Sequence, residues 1–176
     1  GTPYRRTMSR HPSLEAVESI LQNARNPELR GLLEYWVSIH PQDRLPARHD
    51  FDPLKVRKAL PNIVLTDVER DPYRFRIRLM GTAVVAAMQQ DFTGRYLDDV
   101  WPDAQNQLLV RHRVEVAETG LPNYRYGLSP TPFRLGFAPL ERVFLPLAED
   151  GERVDMILSM IAYMERSGEP GAPTNA

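Results

Sequence analysis

The sequence predicts an α+β protein: a five-stranded antiparallel sheet, with helices ahead of the first strand and between the second and third. Three observations carry this. Two segments with helical apolar spacing come first in the chain. The period then changes to two, most cleanly in Tyr73–Met80, where Tyr73, Phe75, Ile77 and Leu79 alternate with Arg74, Arg76 and Arg78. Two further apolar runs, Ala138–Leu147 and Met156–Met164, flank the tight polar turn Glu149–Glu152, as in a hairpin. Strands grouped apart from helices give an α+β layout, not an alternating parallel one.

Ser13 starts an amphipathic helix with Leu14, Val17, Ile20, Leu21 and Ala24 in one stripe. Asn26-Pro27-Glu28 starts a second: Asn26 suits the N-cap, Pro27 the first helical position and Glu28 the positive helix end. Its apolar positions are Leu29, Leu32, Leu33, Trp36, Val37 and Ile39, and Pro41 stops it. Neither helix is stable alone, so each needs a surface for its stripe. Asp52 caps a short helix running from Pro53 to about Leu60, where Pro61 ends it. Asn62–Glu69 reads as a strand, Asp71-Pro72 as a turn and Tyr73–Met80 as the second strand of a hairpin. Gly81 breaks that strand, and Thr82 begins a helix through Met88. A loop through Phe92, Gly94, Tyr96 and Trp101 leads to a long helix, Asp103–Thr119, ended by Gly120-Leu121-Pro122. Asn123–Tyr126 is a strand, Ser129–Gly136 a Pro/Gly-rich turn and Ala138–Leu147 the next strand. Met156–Met164 fits two periods. Its methionines are spaced as in a helix, but almost every residue is apolar, as in a central strand covered on both faces, and the hairpin-type turn before it favours the strand.

Composition bounds the function. The chain has 176 residues, 22 Lys+Arg against 23 Asp+Glu, and a net charge of -1, which argues against a protein held to nucleic acid or an anionic membrane by overall charge. The absence of cysteine excludes disulfides, thiolate nucleophiles, thiolate zinc sites and iron–sulfur clusters. A 42% hydrophobic fraction is enough for one real core. Met156–Met164 is about half the roughly 20 residues of a membrane span. The polar, Arg-rich start has no apolar secretory core, so a cytoplasmic protein is expected. Residues 1–12 read as a disordered or non-native N-terminus, 13–60 as a helical extension, 61–166 as the sheet domain and 167–176 as a disordered tail.

Several pieces in this order carry a resemblance: Asp50-Phe51-Asp52-Pro53; Leu60-Pro61-Asn62-Ile63 with Asp67-Val68; Phe75–Thr82; Gly94-Arg95-Tyr96-Leu97; and Glu141–Leu147. Together, over roughly residues 28 to 164, they resemble the PAS fold, and more closely a family of small PAS-like proteins of alphaproteobacteria without an assigned function. The resemblance implies a sheet of order 2-1-5-4-3, with Met156–Met164 in the middle. It implies binding or signalling and not a reaction, and it supplies no ligand.

The chemical candidates are few. Asp50 and Asp52, beside His49, have the look of a hard-cation site, but a capping Asp52 and a loop-bracing Asp50 account for them, so no metal is expected. His112 lies on the helix where PAS domains that bind haem place a histidine; at about 100° per residue it falls at the edge of the apolar arc of Leu109, Val110, Val116 and Ala117. Haem is therefore disfavoured, and the lack of cysteine excludes a cysteinyl flavin adduct. Arg113 falls near the middle of that arc, where it must snorkel, pair with a carboxylate or reach a bound anion. Arg74, Arg76 and Arg78 are expected on a solvated strand face or pairing with Asp67, since their aromatic neighbours alternate away from them. No phosphate loop, hydrolase nucleophile turn or dinucleotide fingerprint is present as a contiguous motif, so no catalytic residue is assigned.

The leading expectation is a PAS-type regulatory module with a mostly apolar small-molecule pocket lined by Phe75, Ile77, Leu79, Val85, Met88, Phe92, Tyr96, Trp101, Leu109, Arg113, Tyr126 and Phe144. Its output passes to an unidentified signalling protein, and homodimers are expected through the N-terminal helices or a sheet face. One alternative is a ligand-free adaptor whose core is full. Another is a small-molecule enzyme using Arg113, Tyr126 or Asp67.

Overall fold

The computed structural model describes residues 9–102, 107–127 and 139–163. Two helices come first. Helix α1 spans Pro12–Asn23, and its N-cap is His11, whose Nδ1 accepts the Ser13 N–H at 3.2 Å. The helix thus starts one residue before Ser13, and His11, read from the sequence as part of the N-terminal segment 1–12, caps it. Helix α2 spans Pro27–Ile39, with the Asn26 side chain accepting the Leu29 N–H at 3.0 Å, as the Asn-Pro-Glu signature predicts. Leu29, Leu32, Leu33 and Trp36 are fully buried, and the Trp36 indole N–H donates to the Pro146 carbonyl at 3.3 Å.

The helix expected over Pro53–Leu60 does not form. Two 3-10 turns, Pro53–Val56 and Leu60–Asn62, stand there instead. Asp52 caps the first as expected, accepting the Leu54 N–H at 3.0 Å. The segment between Pro53 and Pro61 is too short to offset the cost of nucleating an α-helix, and Pro61 has no N–H to continue an α-helical ladder.

Strands β1 (Ile63–Glu69), β2 (Arg74–Met80), β3 (Asn123–Gly127), β4 (Leu140–Leu147) and β5 (Met156–Tyr163) form one sheet of order β2-β1-β5-β4-β3, with every neighbouring pair antiparallel. The ambiguous final segment is therefore a strand, and it lies in the middle of the sheet. Between β2 and β3 come α3 (Thr82–Met88), α4 (Leu97–Val100) and α5 (Gln107–Thr119). The single turn α4 falls where a loop was expected. The start expected for the long helix, Asp103, and the turn Ser129–Gly136 lie outside the described residues, as do residues 1–8 and the tail 167–176.

The sheet separates two apolar layers. Helix α2 covers its outer face over β5, and α5 covers the inner face over β4 and β5. This is why β4 and most of β5 are buried along their length, whereas β3, at the sheet's edge, is half-buried to exposed. The outer face of β4 and β5 is thus occupied by this chain's own helix. Hairpin β1–β2 carries one irregularity. Leu65 pairs with Leu79 but Thr66 pairs with Ile77, so Arg78 is an extra residue on β2. Such a bulge reverses the alternation beyond it. Phe75, Ile77 and Met80 turn inward, while Leu79, expected inside, is 36% exposed. Directly after β2, Gly81 donates its N–H to the Ile63 carbonyl at 2.7 Å, and a Cβ there would lie 2.3 Å from the carbonyl oxygens of both Leu60 and Pro61. The hairpin closes onto the 3-10 turn only because this residue has no side chain.

Candidate functional site

A cavity lies between the inner face of the sheet and α3, α4 and α5. Val64, Ile77, Met80, Arg142, Phe144, Ser159, Met160 and Ile161 contribute from the strands, and Val84, Leu97, Trp101, Leu109 and Arg113 from the helical side. It is small. About 30 Å³ is open to the centre of a water molecule, and one water needs about 10–15 Å³ on that measure. As folded, it has room for about two waters.

Of the residues expected to line a pocket, Ile77, Trp101, Leu109, Arg113 and Phe144 are at the cavity. Phe75 is on the same sheet face but 1% exposed in the core, its ring stacked parallel to Tyr73 with centroids 6.3 Å apart. Val85, Met88 and Phe92 are partly buried against the core without lining the cavity, and Phe92 packs edge-on against Trp101 at 5.8 Å, behind the wall. Leu79 is turned out by the bulge. Tyr96 sits beside β2, its hydroxyl donating to Glu69 at 2.7 Å and its ring under the Arg74 guanidinium at 3.8 Å. Tyr126 pairs with Glu141 across β3–β4 and so shares the outer face with it, away from the cavity; on the edge strand it is 50% exposed. Its ring faces the Arg25 guanidinium at 5.6 Å.

Sequence reasoning missed Val64, Met80, Val84, Leu97, Arg142, Ser159, Met160 and Ile161. Two of these had a signal. Ser159 is a polar residue inside an otherwise apolar run, and Arg142 lies two residues before Phe144, which alternation places on the same face. Met80 had none, since its phase depends on the bulge.

The chamber's polar groups come from α5, β4 and β5. Arg113 is 4% exposed, as its place in the apolar arc predicts. Its Nη1 donates to the Leu109 carbonyl at 3.3 Å, its Nη2 donates to Ser159 Oγ at 3.1 Å, and its Nε has no partner. Its guanidinium carbon lies 5.0 Å from the centre of the Phe144 ring. Ser159 in turn donates to the Val64 carbonyl at 3.1 Å. Arg142 is 6% exposed, and its Nε and Nη1 have no partner. Among the described residues, no carboxylate lies within 4.0 Å of either guanidinium. Burial, helped by the nearby charge of Arg142, pushes Arg113 down to about 9. Burial and the charge of Arg125 lower Arg142 as well. His112, beside this cluster with its ring 5.7 Å from Phe144, is pushed down to about 4 by burial and then by Arg125, Arg142, Arg113 and Arg111. It does not line the cavity, and its buried Nδ1 has no partner.

The other candidates are engaged elsewhere. Arg74 bonds Asp98 and Asp99, Arg76 donates to the Gly94 carbonyl at 3.1 Å, and Arg78 pairs with Asp67 at 3.0 Å, as expected for that pair. The stripe is held by this chain's own acceptors. Asp50 accepts the Ala47 N–H at 2.9 Å, and His49 lies 3.3 Å from Glu149. Among the described residues, no three His, Asp or Glu side chains converge on a point, and no helix is long and apolar enough to cross a membrane.

A family model described as a PAS domain matches residues 24–162 of the chain. No curated protein matches it.

Proposed function

The chain belongs to the PAS domain family, and from that premise we propose that it is a regulatory module whose inner cavity takes up a small molecule and whose output passes to another protein by contact. The observation that carries this reading is the small, largely apolar cavity at the junction of four strands and three helices. A ligand there touches every inner element at once, so it can favour one packing of α3, α4 and α5 over another. Binding and packing are the chemistry this site supports: its polar groups are two arginines and a serine already bonded to a carbonyl. The module is read as non-enzymatic and as acting in the cytoplasm.

The test is a thermal-shift screen of the full chain with small molecules, paired with native mass spectrometry of protein from its own cells. A ligand at about 100 times its Kd stabilises by about 2.7 kcal/mol, roughly 5–10 °C for a chain of this size. Val84→Phe, which fills the chamber, is expected to abolish that shift. If no compound moves Tm and the native protein carries no added mass, the cavity is not a ligand site. A second reading, a ligand-free adaptor, would then stand. It is favoured by the small size of the cavity, and it keeps the same fold with a core that is simply well filled.

A further inference from the structure

Adjacent residues on β4 bury opposite charges on opposite faces of the sheet. On the outer face, Glu141 is fully buried, yet its carboxylate is satisfied without a cation. It accepts the backbone N–H groups of Arg25 at 2.9 Å and Asn26 at 2.7 Å, and the Tyr124 hydroxyl at 2.7 Å. On the inner face, Arg142 has no such shell: two of its three guanidinium nitrogens lack a partner among the described residues. Arg113 comes from α5 into the same chamber, held by one carbonyl and one hydroxyl, with its Nε unpartnered. Two buried cations therefore share one small space, and no described carboxylate is within 4.0 Å of either.

Burying one charge unpaired is costly, and burying two of the same sign together is more so. A leucine or methionine at either position would fill the core without that cost. An anion between the two side chains would offset that cost. Guanidinium groups suit this because their planar fork matches a planar carboxylate, with donors at fixed angles. Arg113 enters the chamber from α5 and Arg142 from β4. The remaining wall, with Ile77, Met80, Val84, Leu97 and Leu109, is apolar and offers nothing to further polar oxygens.

On the reading that this cavity is the ligand site, we propose that its ligand is a small monocarboxylate, its oxygens bonded between Arg113 and Arg142 and its short alkyl end against Met80, Val84 and Leu97. A single planar anion with an apolar end matches a pair of guanidiniums in a chamber whose other lining is mostly hydrocarbon. A phosphate needs acceptors met all round, and a dicarboxylate would set its second charge against hydrocarbon. Room for about two waters is filled by formate or acetate, so a longer alkyl chain fits only if the helices move apart.

The test uses the full chain and the series from formate to hexanoate, with butyramide as the neutral match for butyrate and inorganic phosphate as a second anion. Calorimetry and thermal shift are expected to show binding of a short monocarboxylate and at least tenfold weaker binding of its amide and of phosphate. Arg113→Met and Arg142→Met are each expected to weaken carboxylate binding at least tenfold while leaving the free protein as stable as before or more so. Equal binding of amide and carboxylate by the unaltered protein, abolished by Val84→Phe, would overturn the anion and keep the ligand site. Preferred binding of phosphate would also overturn the monocarboxylate. Binding of none of these, with none in the wider screen, would remove both. Because the amide comparison needs no variant, misfolding of an arginine variant does not rescue the proposal.

Discussion

At the scale of single residues, what could be read in advance depended on whether a side chain's direction follows from local periodicity alone. Arg113 could be placed from the helical wheel, because one element fixes its bearing. Asn26 and Asp52 could be assigned as caps, because a polar side chain before proline has a local bonding role. Leu79 and Met80 could not be sorted, because a one-residue bulge opposite Leu65 and Thr66 exchanges them, and no local pattern marks it. Gly81 is a position of a third kind. Its backbone is in an ordinary conformation, with φ -66°, so torsion does not require glycine; the carbonyls of Leu60 and Pro61 do, at 2.3 Å from any Cβ. Gly81→Ala must push backbone against backbone, and is expected to destabilise by about 3 kcal/mol. The measurement is the urea midpoint at unchanged slope. A loss below about 0.5 kcal/mol would mean that the turn yields freely and that the close approach is not needed.

At the scale of elements, β2 and the helices α1 and α2 were legible because each presents a clean period or a capping signature, whereas β5 fits two periods and reads as a strand from the hairpin-type turn before it. The Pro53–Leu60 segment misled because its composition is helical while its length between prolines is not. Helix α5 was legible in its arc but not in what it meets: Arg142 and Ser159 come from strands far away in sequence. Its pH response follows from that meeting. His112 on α5 has its folded pKa pushed below the ordinary 6.5, to about 4, by burial and the surrounding arginines. The folded state therefore holds the neutral ring, and the unfolded chain binds the proton more readily. Stability from this residue is complete above pH 6.5 and is lost as pH falls from 6.5 toward about 4. His112→Phe keeps the ring against Phe144 without the proton. Stability curves against pH for the two proteins are expected to converge above pH 6.5 and separate below it, with the variant the more stable. Parallel curves through pH 4–6.5 would show that His112 is as free to protonate as in the unfolded chain.

At the scale of the whole molecule, a net charge of -1 conceals an uneven distribution. The strand arginines on β2 are held by this chain's own acceptors at the sheet edge. The buried carboxylate Glu141 is on one side of β4, and two buried guanidiniums are on the other. Composition shows none of this, since it arises from the order of the strands. The same topology gives each layer its own reporter. The chain's two tryptophans fall on opposite sides of the sheet: Trp36 on α2, bonded to the Pro146 carbonyl, and Trp101 in the cavity wall. In Trp36→Phe the emission reports the inner chamber, and in Trp101→Phe it reports the helix-covered outer face. A ligand in the chamber is expected to change Trp101 emission by direct contact. For the N-terminal helices to carry the output, the change must also cross the sheet, and β4 offers a direct route, because Arg142 at the cavity is covalently next to Glu141, which fixes the junction of α1 and α2 through Arg25 and Asn26. Trp36 emission, or the hydrogen-exchange protection of α2, is therefore expected to shift in step with ligand occupancy, with the same midpoint as Trp101. A saturated chamber that leaves Trp36 and α2 unchanged would mean that the cavity binds without signalling through the N-terminal helices, and that any output leaves from α3, α4 or α5.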